Sequence, residues 1–241
     1  MSRRIRRMIA PVGRGRIFKT NIADALFEEM DKRDLPVTAW DIDKARNLKR
    51  RISIARRPAD SSDRARRLCL EDAIHETIAG EGDAIVDLGA DELLFHQIAD
   101  KLPEMSDLLA EAGLQVVAIH VLGPDVDKDL AFYRATKDSN VFARQLVALN
   151  HGVVSEERDP DEAFAAVRRA VERDGFPMFV IRKLPIEIME ALWPEDEKAP
   201  IPLLHNLAND IATLKIVNAL VLQSYLTKCI APIVDEILTA P

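Results

Sequence analysis

Over most of its 241 residues the chain alternates short apolar runs of strand length with longer segments whose apolar residues recur at helical spacing. This alternation constrains the fold more than any single motif, because strands that read as apolar runs are buried on both faces and need helices to cover them. The pattern predicts an α/β protein of three layers, α/β/α, with a mostly parallel central sheet. Strands are expected near 4–12, 36–42, 83–88, 114–122, 144–150 and 177–183. Helices are expected over 20–30, where Ile22, Leu26 and Met30 share a face, and over 62–79, 91–112, 125–138 and 160–174. Residues 1–241 read as one domain, with the alternation confined to about 1–200. Residues 193–202 hold three prolines and read as an irregular connection. A C-terminal helical segment follows over 203–240, where Leu207, Ile211, Leu214, Val217, Val221 and Leu222 form an apolar stripe. Packing on the core is the expected fate of that stripe, and a subunit interface is the alternative.

Composition removes several function classes. Apolar residues make up 48% of the chain and charged residues 30%, a balance that fits a globular protein rather than a disordered one. No uninterrupted apolar run reaches the length a bilayer requires, and the basic start Arg3-Arg4-Ile5-Arg6-Arg7 leads into too short an apolar stretch to be a cleavable signal. A cytoplasmic protein without stable membrane insertion is expected. Cys69 and Cys229 lie far apart, with no Cys or His at metal-ligand spacing, and read as buried free thiols. The net charge of −7 conceals an asymmetry: residues 1–67 carry 19 Lys/Arg against 9 Asp/Glu, and the remainder 14 against 31. One surface of an acidic molecule could therefore attract a polyanion, unless these are only solvated helix and loop charges.

Three short stretches carry the chemistry. Gly13-Arg14-Gly15-Arg16-Ile17-Phe18-Lys19-Thr20 lies after the first expected strand and at the mouth of the first helix. A loop there aims backbone N–H groups and the positive end of the helix dipole at one spot, which is how phosphate is held. Gly13 and Lys19-Thr20 have the Walker A spacing, so that Lys19 would reach terminal phosphates and Thr20 would ligate magnesium. Phe18 stands directly before the lysine, where glycine is usual because the backbone needs unusual torsions; a bulky residue there is expected to be strained and to crowd the loop. In Trp40-Asp41-Ile42-Asp43, the two carboxylates flank one residue and on an extended chain point the same way, toward magnesium and an attacking water. A capped turn is the plainer reading. Ala84-Ile85-Val86-Asp87-Leu88-Gly89 is an apolar strand ending in Asp-x-Gly.

Taken in order, these stretches resemble the ParA/MinD family of deviant Walker A ATPases. Arg14 falls on the family's signature lysine, Gly15 on the glycine after it, and Lys19 and Thr20 on the end of the loop. Arg16 and Phe18 replace loop glycines. Asp41 and Asp43 match the D-x-D pair, and Asp87 with Gly89 matches the Walker B and second switch. Asn150 falls where the family has a base-contacting asparagine, and Arg182-Lys183-Leu184-Pro185 is similar to its proline-bearing segment beside the base. The resemblance implies that ATP is bound by Gly13, Arg14, Gly15, Lys19, Thr20 and Asn150. It implies magnesium near Thr20, Asp43 and Asp87, with Asp41, Asp43 and Arg14 serving hydrolysis. It further implies a nucleotide-dependent homodimer acting with a protein partner in plasmid or chromosome partition, conjugation or cargo positioning. Contact with DNA would fall to the basic region 44–67: Lys44, Arg46, Lys49, Arg50, Arg51, Arg56, Arg57, Arg64, Arg66 and Arg67. The substituted loop implies weakened or lost hydrolysis. The alternative is a scaffold that keeps the fold and no longer binds nucleotide.

Overall fold

The computed structural model describes residues 5–15, 17–44, 47–89, 104–192 and 204–239. Six parallel strands form one sheet in the order β2-β3-β1-β4-β5-β6: β1 Arg6–Val12, β2 Val37–Asp41, β3 Asp83–Asp87, β4 Leu114–Leu122, β5 Arg144–Asn150 and β6 Met178–Ile181. All six fall on expected runs, and the observed bounds of β4 and β5 match the expected ones. The apolar runs divide by parity. Met8, Ala10 and Val12 of β1 join Ala84, Val86, Val116 and Ala118 on one face, while Ile9 joins Ile85, Val117, Ile119 and Val121 on the other. Period-2 alternation within continuous apolar runs is what a sheet buried on both sides requires.

Helices α1 (Lys19–Lys32), α2 (Asn47–Arg51), α3 (Asp63–Ala79), α4 (Met105–Glu111), α5 (Val126–Thr136), α6 (Pro160–Val171) and α7 (Ile186–Leu192) are followed by α8 (Leu204–Asn209), α9 (Ile211–Tyr225) and α10 (Ala231–Thr239). The Ile9 face is covered by α1 and by residues of α7 to α10; the Met8 face is covered by Cys69, Leu70 and Ala73 of α3 and by Met105 and Leu109 of α4. Side-chain caps start the helices where the sequence offers them, as with Ser62 on Ala65, Asp125 on Lys128 and Asp159 on Glu162. Two short helices, α2 and α7, were not expected. Of the helix expected over 91–112, residues 105–111 are helical; 91–103, the connection 193–203, and Arg16 lie outside the described residues.

The C-terminal stripe divides. Leu207, Leu214 and Leu222 are in the core, but Ile211 and Val217 are 55% and 66% exposed. A kink explains the split: Lys215 has φ 61 and ψ 155 inside α9, which rotates the residues before it out of phase with those after it. The composition also reads differently once the helices join. Ile211–Thr239 runs for 29 residues, and its most apolar stretch, of mean hydropathy 1.3, is long and apolar enough to cross a bilayer and is 39% buried.

Candidate nucleotide site

Every motif singled out in the sequence lies at the carboxyl edge of the sheet, where the strand order turns from β2 and β3 on one side of β1 to β4 on the other. Crevices at such switch points are where open α/β sheets bind ligands. Strand β1 ends in the loop 13–18, which enters α1. Gly13 is needed there for space, because a Cβ on it would lie 2.3 Å from Ile17 Cδ1 and 2.4 Å from the carbonyl oxygen of Val121. Phe18 sits at the N-cap of α1 with φ 62 and ψ 33, the left-handed torsions that glycine supplies elsewhere. The expected strain is therefore real. Its side chain is 39% exposed and lines a cleft of about 280 Å³ with Ile22, Asn150, Ile181, Lys183 and Met189.

The loop is closed around the lysine. Lys19 Nζ donates to the carbonyl oxygens of Gly13, at 2.5 Å, and Arg14, at 2.9 Å, and the residue is 6% exposed. Thr20 Oγ1 donates to Asp87 Oδ2 at 2.6 Å, joining α1 to the end of β3. The other oxygen of Asp87 accepts from the N–H of Gly89, whose φ of 71 is what lets the chain turn back toward it. A Cβ on Gly89 would lie 2.1 Å from Asp43 Oδ1, so glycine also makes room for that carboxylate.

Asp41 and Asp87 are register partners on β2 and β3, and both are fully buried. Burial raises both carboxyls above their ordinary value. For Asp41, burial outweighs the helping N–H of Lys49, the negative charges of Asp87 and Asp43 add to the rise, and the group is pushed up to about 7. For Asp87, burial again dominates, opposed by the hydrogen bonds from Thr20 and Gly89. Asp41 Oδ2 accepts the N–H of Lys49 at 2.7 Å, as in the plainer capped-turn reading, while its Oδ1 is buried without a hydrogen-bond partner. Such an orphaned acceptor beside two more carboxylates and a threonine hydroxyl is a set of hard oxygen donors, which fits magnesium. Among the described residues no group of three or more His, Cys, Asp or Glu side chains is arranged to enclose a metal on its own, so the ion would need oxygens from nucleotide or water as well.

Asn150 ties the loop to β5: its Nδ2 donates to the carbonyl of Ile17 at 2.9 Å and its Oδ1 accepts from Gly152 N–H at 2.9 Å. It lines the cleft with both ends of its amide already engaged. Arg14 donates through Nε to the buried carboxylate of Asp129 on α5, at 2.5 Å.

The basic region is less of a surface than its sequence suggests. Arg51 is fully buried and paired with Asp24 at 2.6 Å, and Arg66, 2% exposed, donates to the carbonyls of Ile42 and Leu88. Lys44 pairs with Asp63, Arg56 with Glu76, and Arg67 with Glu71; Arg46 lies outside the described residues. Arg66 is the site-building residue that the sequence reading missed. Ile42 separates Asp41 from Asp43, and Leu88 follows Asp87, so one guanidinium pins both acid-bearing turns. Nothing in a run of arginines marks which one turns inward.

No protein-family model and no curated protein sequence matches the chain. Solved structures do. The septum site-determining protein MinD complexed with Mg-ADP from Pyrococcus horikoshii is 15% identical with a TM-score of 0.55, over 97% of this chain and 96% of that one. Chloroplast FtsY from Physcomitrella patens is 15% identical with a TM-score of 0.53, and the signal recognition particle receptor FtsY from Elizabethkingia anophelis is 14% identical with a TM-score of 0.50. Each FtsY match covers 77% of this chain, which spans 61% of the length of those proteins. The chain shares the three-layer α/β/α fold of MinD and FtsY.

Proposed function

We propose that this protein is an ATP- and magnesium-dependent switch of the ParA/MinD kind with slow hydrolysis. The observation that carries the proposal is the conformation of Phe18: its backbone takes the left-handed torsions a phosphate loop needs despite its side chain, and Lys19 remains folded into the loop beside Thr20 and Asp87. Lys19 and the loop N–H groups would hold the phosphates, Thr20 and Asp87 would hold magnesium, and Asp43 would orient water. The bound ion would supply neutralisation of phosphate charge. MinD in the comparison holds Mg-ADP, which supports the same ligand class here.

The substituted loop accounts for slow turnover, because the Phe18 ring lines the cleft directly before the lysine that would hold phosphate. Asp41 is tied to the N-terminus of α2 through the N–H of Lys49. Nucleotide would bring two copies together and expose the assembly to a protein partner in the cytoplasm, in partition, conjugation or cargo positioning. The exposed Arg57 and Arg64 would offer cations to DNA; binding should then be salt-dependent and indifferent to sequence.

The test is calorimetric titration with a slowly hydrolysed ATP analogue and magnesium, for the wild type and Lys19→Ala, followed by sizing with and without nucleotide. Binding that Lys19→Ala weakens about a hundredfold, with dimerisation, supports the reading. No binding at millimolar nucleotide sinks it. A scaffold without nucleotide is the second reading, favoured by the Phe18 ring at the cleft; gain of binding in Phe18→Gly from a silent wild type would select it.

A further inference from the structure

The nucleotide reading leaves unused a buried charge that touches the phosphate loop. Asp129, in the first turn of α5, is 1% exposed, and its Oδ1 accepts Nε–H of Arg14 at 2.5 Å. Its Oδ2 accepts the N–H of Asp125 at 3.0 Å. The turn leading into α5 is shaped for this carboxylate: a Cβ on Gly123 would lie 2.7 Å from Asp129 Oδ2. Arg14 itself belongs to the phosphate loop, since its carbonyl oxygen accepts from Lys19 Nζ, and its side chain is 34% exposed.

A carboxylate removed from water needs a fixed cation, and breaking such a pair leaves an uncompensated buried charge. The Arg14 guanidinium is the solvent-reaching half of the pair and cannot swing away without stranding Asp129. Its Nε–H is engaged, one Nη N–H lies on the same side as that bond, and the other three Nη N–H groups of the planar guanidinium point away from it. We propose that Asp129 is a positioning residue that anchors Arg14 to its own phosphate loop, so that this arginine engages the terminal phosphates of a nucleotide bound in the same chain. The inference rests on the nucleotide reading above and adds to it how the loop's substituted cation is held.

The probe is adenosine 5′-(β,γ-imido)triphosphate with magnesium, titrated into wild type, Arg14→Gln, Asp129→Asn and the double variant, with thermal melting to confirm folding. Arg14→Gln should weaken binding roughly tenfold, as loss of a charge-assisted bond to phosphate does. Asp129→Asn should weaken it several-fold in the wild type and leave it unchanged in the Arg14→Gln background. Gly123→Ala, which displaces the Asp129 carboxylate without altering charge, should reproduce the Asp129→Asn effect if that variant folds poorly. Adenosine alone should bind all four proteins equally. Tighter binding by Asp129→Asn would make the pair a competitor of phosphate and overturn the proposal. So would equal losses with and without Arg14, or no loss in Arg14→Gln. A wild type that binds nothing would instead defeat the nucleotide reading itself.

Discussion

The two ends of α1 both carry buried charge, and they use it differently. At the N-terminal end Lys19 and Thr20 face Asp87, and beyond them Asp41 keeps one oxygen without a partner. At the other end Asp24 pairs with Arg51, and both oxygens of Glu28 accept backbone N–H groups, from Leu204 at 2.6 Å and His205 at 2.7 Å. Glu29 meets Arg33, which reaches on to Asp235 of α10. Asp41 and Glu28 are pushed up to about 7 and about 8, largely by burial in each case. A raised carboxyl alone therefore does not mark a site. What separates these two is saturation: Glu28 is a clamp on the C-terminal helices with both acceptors filled, whereas Asp41, like Asp24 beside Arg51, keeps one oxygen without a partner, and Asp41 does so at the sheet edge beside Asp87.

If that contrast is right, damage at the two ends should appear in different measurements. The largest effect is expected for Arg51→Met, which leaves Asp24 buried without its cation; loss of about 3–5 kcal/mol in urea unfolding is expected for such a break. The double variant Asp24→Asn, Arg51→Met should recover much of the loss, and the surviving folded protein should bind nucleotide as before. Next comes Lys19→Ala, expected to weaken nucleotide about a hundredfold, or about 2.7 kcal/mol, with little change in the unfolding midpoint. A Lys19→Ala protein as unstable as Arg51→Met would erase the distinction between the two ends.

The fold was legible because apolar runs and helical stripes report burial, and burial is what a two-sided sheet demands. The order of Lys19, Asp41, Asp43, Asp87 and Asn150 along those strands placed all five at one sheet edge. Phe18 was legible too, as the residue forced into torsions suited to glycine. What the sequence did not disclose were partners distant along the chain. Arg66 and Arg51 read as members of a basic surface, yet each is drawn inward by groups 22 to 27 residues away. Asp129 lay 115 residues from Arg14. The exposure of Ile211 and Val217 depended on one non-helical residue, Lys215, that periodicity cannot register.

A smaller effect should separate the clamp from the site by pH. Glu28 has a folded value near 8 against an ordinary 4.5, so it favours folding below about pH 4.5, and that contribution is lost as pH rises through 8. Asp24, Arg51, Glu29 and His205 surround it, and of these His205 is held below its usual value chiefly by burial. Glu28→Gln removes the titrating group while keeping one acceptor for the N–H groups of α8. Its stability relative to wild type should improve progressively as pH rises from 5 to 9, measured by urea unfolding at each pH. A constant difference across that range would mean that Glu28 does not titrate there.

The smallest effect, and the one that bears on the site itself, belongs to Asp41. Its folded value near 7 against an ordinary 3.8 has the same sign: stability is present below about pH 4 and is lost as pH rises through 7. Near pH 7 the group holds about half a proton, and a cation bound beside it would favour the charged form and expel that proton. Titrating magnesium and the ATP analogue at pH 7 in two buffers of different ionisation enthalpy measures the release directly. Wild type should release up to about half a proton more than Asp41→Asn, and the difference should vanish near pH 9, where Asp41 is already charged. Glu28→Gln should leave the release at pH 7 unchanged, because that carboxyl is enclosed by α8 and its acceptors are filled. Equal release from wild type and Asp41→Asn would place the cation elsewhere and make Asp41 a second clamp, holding α2 as Glu28 holds α8.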